Sequence, residues 1–412
     1  MNVIRTVVRS KHLGALSPRG ASYTPPVKRA VYLTYLLMVA SAGVTFVFLE
    51  DIETAYNLPA WGIGLISSLA FGIAVITSLA IAPYGDRGNL ALLGAIAFAT
   101  AIIGNLWIGF ATELWSISVS RGLAGFGTGL FSVVGRKALI GEQTDDSGEQ
   151  LGAFLSAAVA GFIAGPAIGA QLSNFGGIAV PYVVIAILLA IVAVPTVRWL
   201  AHVPIATTHD ATLTEMLLLF RFPAVRAGVA VQIAVFFNIG VFDATVDEYL
   251  TDLGVSNTGV GLILLVIAFP LLFMPRIAGR YADRLAHPEW FMLASLLLFV
   301  PIVLTLGFWP GVAVFVIFAF LETTVESAMF PAVARVVLNE TGADRSAIST
   351  GLVDAAGNLS AAVAAFVAPT IFDRAGGPSG SFGVSGTVAG ALLVFAFWQV
   401  RQMRAKTQDG AR

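Results

Sequence analysis

Gly62-Ile63-Gly64-Leu65-Ile66 returns as Gly259-Val260-Gly261-Leu262-Ile263, 197 residues further along the chain. Three more matches keep that offset: Gly43-Val44 with Gly240-Val241, the acid pair Glu50-Asp51 with Asp247-Glu248, and Asp86-Arg87 with Asp283-Arg284. A fifth, Ser156-Ala157-Ala158-Val159-Ala160 with Ser360-Ala361-Ala362-Val363-Ala364, is 204 apart, so the second copy carries a few extra residues. A bias towards Ala and Gly produces one such match by chance, but not four in one order at one offset. The chain is a tandem repeat of two halves.

The solvent of those halves follows from composition. Of 412 residues, 57% are hydrophobic and 11% charged, with a mean hydropathy of +0.87. Soluble proteins carry about a quarter of their residues as Asp, Glu, Lys or Arg. This chain cannot cover a water-facing surface with charge, and an apolar exterior belongs in lipid. A net charge of -1 with no basic face argues against nucleic acid. No cysteine is present, which removes disulfides, thiolate metal sites and cysteine nucleophiles. His12, His202, His209 and His287 all fall in predicted loops or tails, so no metal and no cofactor is expected.

Apolar runs of roughly twenty residues predict spans at 30–49, 60–82, 89–110, 115–138, 151–173, 178–197, 224–246, 258–277, 289–308, 312–337, 347–371 and 383–401. The expected division is a tail over 1–29, a six-helix bundle over 30–197, a linker over 198–223, a second six-helix bundle over 224–401 and a tail over 402–412. Because six is even, both copies run in the same sense, related by a pseudo-two-fold axis along the membrane normal. The fold class is an all-α membrane protein of about twelve transmembrane helices in two parallel bundles around a central cavity. Of 23 Lys and Arg, 21 sit in the tails and alternate loops on one face; the exceptions are Arg121 and Arg374. The positive-inside rule makes that face, and both termini, cytoplasmic. The acid-free basic start also has the composition of a transit peptide, though a cytosolic tail is the simpler reading. Trp61, Trp107, Trp115, Trp199, Trp290, Trp309 and Trp398 lie near predicted span ends, as an interfacial belt would.

The loop Ala82-Pro83-Tyr84-Gly85-Asp86-Arg87-Gly88-Asn89 resembles the G-x-L-A-D-R-x-G-R-K loop of the major facilitator superfamily, shortened and without the leading Gly and trailing basic pair. Gly279-Arg280-Tyr281-Ala282-Asp283-Arg284 resembles it more closely. Arg121-Gly122-Leu123-Ala124-Gly125-Phe126-Gly127 matches the family's R-x-x-x-G-x-G, and Gly161-Phe162-Ile163-Ala164-Gly165-Pro166-Ala167-Ile168-Gly169 matches its G-x-x-x-G-P-x-x-G. That last pattern is typical of the family's proton-coupled exporters, so the resemblance points to the drug:proton antiporter-like branch. It covers about residues 30–401 and implies the major facilitator fold.

Charges placed within spans are the site candidates, since they are costly in a bilayer. Arg121 lies in the outer third of the fourth span. It is either fixed by a salt bridge or backbone contact within its bundle, or, as the resemblance implies, takes part in proton coupling. Glu322 and Glu326, four residues apart near the centre of the tenth span, share one helix face. Their repulsion and desolvation make at least one of them hold a proton near neutral pH. Such a pair binds a cation or exchanges a proton, unless hydroxyls such as Thr323, Thr324 and Ser327 merely cap it. Asp354 and Asn358 share a face of the eleventh span, with Asp354 bordering the cavity or pairing with a cytoplasmic base. Asp243 and the deeper Asn238 lie on the seventh, where Asp243 reads equally as an outer gate or a water-exposed acid. Glu50-Asp51 and Asp247-Glu248 are expected to be solvated at the outer mouth, or to form an electronegative vestibule.

Asp86 with Arg136 and Asp283 with Arg335, beside Arg87 and Arg284, are the candidate cytoplasmic gate, closing that side in an outward-facing state; solvated loop charge is the alternative. Gly161, Gly165, Pro166 and Gly169 suit close helix packing, a rocking hinge, or both. The function expected is secondary transport by alternating access, as proton-coupled efflux of a small amphiphilic or cationic compound. The alternatives are nutrient or metabolite import by the same fold, and a receptor or accessory subunit without flux. No G-x-x-x-x-G-K-[ST] is present and an enzyme is not expected. The partners expected are a small-molecule substrate, protons and the lipid bilayer, with the monomer as the functional unit.

Overall fold

A backbone inside lipid must satisfy its own N–H and C=O groups, which leaves the helix as the element available to long apolar runs. The computed structural model describes residues 25–81, 89–141, 147–203, 213–308, 311–342 and 345–409, and they are almost entirely helical. The twelve membrane helices are α1 Pro25–Thr45, α2 Ala60–Ile81, α3 Leu90–Ile108, α4 Leu114–Gly141, α5 Ser147–Ser173 and α6 Ala179–Leu200, then α7 Pro223–Asp252, α8 Asn257–Ala282, α9 Pro288–Leu306, α10 Val312–Thr341, α11 Ser346–Arg374 and α12 Pro378–Asp409. Among the described residues eleven helices are long and apolar enough to cross a membrane; α1 becomes the twelfth when joined to the short helix that follows it.

Two spans depart from the simple prediction. The first, expected as one run over 30–49, stops at Thr45 and resumes at 51° to itself as a short helix, Leu49–Tyr56. The eighth is interrupted by a 3-10 turn, Phe269–Leu272, where Pro270 cannot donate to the helical ladder. The last helix runs to Asp409, past the predicted limit at 401, because a helix leaving lipid for water keeps its own hydrogen bonds. Trp199 is buried in the protein rather than placed at an interface. Trp61, Trp115 and Trp398 are exposed as a belt requires.

The repeat is visible in the packing. Within the first half α1 packs on α4, α5 and α6, α2 on α4, and α3 on α4 and α6. Within the second half α7 packs on α10, α11 and α12, α8 on α10, and α9 on α10 and α12. Each pairing has its mate six helices on. The main contacts between halves, α2 with α11 and α5 with α8, are mates as well. Large apolar side chains such as Ile76, Ile191, Leu297 and Val394 remain exposed on the outside, the surface that lipid covers.

The sequence match that defined the repeat lies on these interfaces. A Cβ at Gly64 would overlap the Phe366 carbonyl oxygen of α11. At the equivalent Gly261 it would lie 3.0 Å from Ala167 Cα and from the Pro166 carbonyl oxygen of α5. Small residues here let backbones of opposite halves touch, where apolar side chains alone would provide no net drive in lipid. Gly161 and Gly165 do the same inside the first half, against the Leu36 and Ala40 carbonyls of α1, and Gly169 packs on Val44. Gly64→Ala should therefore lower the thermal unfolding midpoint in detergent by several degrees. Gly351→Ala, where a Cβ meets nothing within 4 Å, should leave it unchanged or raise it. Equal midpoints for the two variants would show that the close approach contributes nothing.

Candidate functional site

Four helices of each half, α1, α2, α4 and α5 with their mates α7, α8, α10 and α11, wall a cavity of about 420 Å³ on the pseudo-two-fold axis. The first half presents rings and hydroxyls to it: Tyr35, Phe46, Phe71 and Phe162, with Thr128 and Ser132. The second half adds Phe236, Phe242 and Phe330, and all three cavity acids, Asp243, Glu322 and Glu326. Arg136, which is exposed, stands at one end. The opposite end is closed by contacts between the halves, Glu50 N–H to Asp247 Oδ2 at 3.0 Å and Asn257 Nδ2 to Asp51 Oδ2. The cavity opens towards the basic face.

The acids are held in unequal ways. All three are buried, with 8% or less of each exposed. Asn238 Nδ2 donates to Glu322 Oε1 at 2.9 Å and Ser385 Oγ donates to Asn238 Oδ1 at 2.9 Å, so a chain from α12 through α7 orients this carboxylate. Thr323 Oγ1 adds a 3.3 Å bond to Glu322 Oε2. The Glu326 carboxyl adjoins that of Glu322, and a hydrogen bond between two carboxyls requires a proton on one of them. Asp243, one helix away, feels the charge of Glu322, and its Oδ2 is buried without a hydrogen-bond partner. Three carboxyls that share space with no cation beside them are tolerable in lipid when they carry protons, or when a cation joins them. Among the described residues no such group is arranged to hold a metal ion.

Thr324 and Ser327 return their hydroxyls to backbone carbonyls of their own helix, so they do not cap the acids. Asn358 lines the cavity, with its amide donated to the Asp354 carbonyl at 2.8 Å. Asp354 itself is outside the cavity lining, and the charge of Arg136 acts on it from the other half.

Arg121 is 2% exposed and reaches three carbonyl oxygens: Ser41 and Ala42 of α1 at 3.4 Å and Ile66 of α2 at 3.5 Å. Phe46 lies across its guanidinium at 5.9 Å. The location explains the break in the first span. The last carbonyls of a helix have no N–H partner and carry its negative dipole end. Here Phe46 N–H turns back to Gly43 O, and Arg121 serves the carbonyls behind it. Of the two readings of Arg121, the backbone contact is the one the geometry displays.

Arg335 Nε and Asp283 Oδ1 approach to 3.6 Å, both partly exposed. Both belong to the second half, and they meet while the cavity is open at their end. The contact does not by itself close that side, because an interaction within one half cannot bridge two. Arg284 is exposed beside them. Asp86 and Arg87 lie outside the described residues. Asp247 was expected in solvent and is instead buried, 2% exposed. Nothing in its position at a span end, next to Glu248, signals that. Ser385 was missed too, as one serine in a Gly/Ser-rich stretch whose bond to Asn238 crosses 147 residues.

The family model for the Major Facilitator Superfamily matches residues 31–228 and again 228–411. The multidrug resistance protein MdtG of Proteus mirabilis is 28% identical over 356 residues, covering 78% of this chain and 83% of that one. The multi-drug resistance efflux pump PmrA homolog of Lactococcus lactis is 22% identical over 294 residues, 66% of this chain and 71% of the relative. Among solved structures, a bacterial homolog to the human lysosomal transporter Spinster superposes with a TM-score of 0.76 at 14% identity, covering 91% of this chain and 96% of its own. The nucleoside transporter NupG gives a TM-score of 0.71 at 13% identity, covering 91% and 99%. These two likenesses show the fold.

If the carbonyl cradle of Arg121 holds the end of α1, charge alone cannot replace it, because an ammonium lacks the fork that spans three acceptors. Arg121→Lys should unfold at a lower temperature than wild type in detergent, and Arg121→Met lower still. Identical midpoints for all three proteins would contradict the assignment.

Proposed function

The chain belongs to the major facilitator superfamily, a family of transporters rather than enzymes, and from that premise we propose that it exports a lipophilic organic cation in exchange for protons by alternating access. It is a multi-pass membrane protein, and the reading takes its basic face as cytoplasmic. One observation carries the proposal: an aromatic-walled cavity with three buried carboxyls, all from one half, and no basic side chain paired with them among the described residues. A cavity of this size suits a small organic molecule. Rings give apolar contact and cation–π attraction, and the carboxyls supply the opposite charge. The printed names of the relatives, a multidrug resistance protein and an efflux pump, agree with this chemistry.

The roles follow from how each acid is held. Glu322, oriented by Asn238, Ser385 and Thr323, is the fixed anion. Glu326 and Asp243 exchange protons, since neither has a donor devoted to its charged form. A cation entering from the basic side displaces protons from the acid group. After the cavity turns to the other side, protons re-enter, the attraction is lost and the cation leaves. Asn358 borders its path. Arg136 with Asp354, and the Asp283–Arg335 contact that braces the end of α8, belong to the inner gate, together with Asp86, Arg87 and Arg284. Gly161, Gly165, Pro166 and Gly169 form the surface on which α5 moves against α1 and α8. The monomer is the working unit, consistent with a cavity enclosed within one chain.

In everted vesicles, an acid lumen should drive uptake of tetraphenylphosphonium. Glu326→Gln should cut that uptake at least about tenfold, since one tenfold step corresponds to about 1.4 kcal/mol. Asp243→Asn should weaken its dependence on the gradient. Full gradient-driven uptake in both variants would refute carboxyl coupling. Uptake driven by an alkaline lumen instead would favour import.

A further inference from the structure

The Glu50–Asp247 hydrogen bond joins residues 197 apart, the offset of the repeat itself. Each partner is the other's repeat mate, so the contact sits on the pseudo-two-fold axis where the halves meet. Its chemistry is a helix cap. The short helix Leu49–Tyr56 has Phe48 at its N-cap position, with no side-chain oxygen to offer, so its first N–H groups need an acceptor from elsewhere. Asp247, on α7 of the other half, accepts from the N–H group of Glu50 at 3.0 Å, with the N–H of Leu49 close by. A carboxylate at that position also meets the positive end of the helix dipole.

We propose that Asp247 is the outer latch of the transport cycle: its carboxylate caps the helix Leu49–Tyr56 from the opposite half, and the outer side opens when that cap is released. The assignment rests on the alternating-access reading above. Closure at this end works against charge, because it gathers Glu50, Asp51 and Glu53 of the first half beside Asp247, Glu248, Asp252 and Asp373 of the second. Something must outweigh that repulsion, and among the described residues the polar contacts that cross the axis here are the cap, the Asn257–Asp51 bond and the exposed Asn174–Thr258 bond at 3.3 Å. Asp247 Oδ1 is buried without a partner, so the carboxylate is placed for the helix end with one oxygen and left unsatisfied at the other. That leaves a latch which holds and also releases. Separation of the halves at this end must break it, since the helix moves with one half and Asp247 with the other.

The chain has no cysteine, so labels can be introduced directly. Nitroxides at F175C and F308C, both highly exposed at the closed end of opposite halves, report the separation there by pulsed electron resonance. Asp247→Ala removes acceptor and charge together; Asp247→Asn keeps an acceptor oxygen and removes the charge. The latch predicts that the ratio of long to short distances rises about fivefold or more in Asp247→Ala, as for loss of one hydrogen bond to a charged group, and does not rise in Asp247→Asn. Glu50→Pro removes the donor from the other side at a position where a helix tolerates proline; it should open this end, whereas Glu50→Gln should not. If both Asp247 variants shift towards the short distance, Asp247 acts only as a repelling charge and the latch is wrong. If the wild type shows both distances and neither Asp247→Ala nor Glu50→Pro changes their ratio, the latch alone is overturned. A single distance in the wild type, with and without tetraphenylphosphonium, overturns the alternating-access reading and the latch with it.

Discussion

A helix interrupted inside a bilayer exposes backbone groups that lipid cannot satisfy, and the break after Thr45 is where this protein meets that constraint. Its two ends are answered by two buried charges of opposite sign. Arg121 takes the carbonyls at the C-terminal end of α1 from within the same half. Asp247 accepts from the Glu50 N–H, in the first turn of Leu49–Tyr56, from the other half. Between them lie Phe46, Val47 and Phe48, all buried, with Phe46 covering Arg121 on one side and lining the cavity on the other. A single kink thus connects the site, the outer closure and the membrane arginine.

The second half lacks this kink. Its α7 runs unbroken from Pro223 to Asp252, and the repeat mate of Phe46 is Asp243. The position that shields a cation in one half supplies a cavity acid in the other. Glu322 and Glu326 likewise belong to α10, while its mate α4 contributes hydroxyls to the cavity wall and keeps Arg121 out of it. The halves share a scaffold, pairing for pairing, and divide the chemistry. Both halves carry rings; the first carries the break, and the second carries the acids and the cap.

The scaffold was legible in the sequence because hydropathy and repeats are written along the chain. Twelve spans, two parallel halves and the close packing at Gly161, Gly165 and Gly169 all follow from local pattern and offset. Glu322 and Glu326 were legible for a related reason: a charge in an apolar run stands out. What escaped was whatever depends on a partner far away in the chain. A hydropathy window reads 30–49 as one span, because Phe46-Val47-Phe48 is as apolar as any helix and the bend comes from capping groups at 121 and 247. Asp247 reads as solvated because the donor to its carboxylate is a backbone N–H group, which no sequence pattern marks. The expected contact between Asp283 and Arg335 is present, and both partners lie in one half.

The same physics governs site and gate: Arg121 and Asp247 are held by backbone and Glu322 by side-chain donors, and a cation or a proton changes which arrangement costs least. The central claim is that the carboxyls around Glu322 exchange protons for a bound cation. It is tested most directly without any flux. Purified protein in weakly buffered detergent near neutral pH, mixed with tetraphenylphosphonium, should release protons that a pH dye counts, about one or more for each cation bound, and Glu326→Gln should release fewer. Binding with no proton release by the wild-type protein would contradict the account.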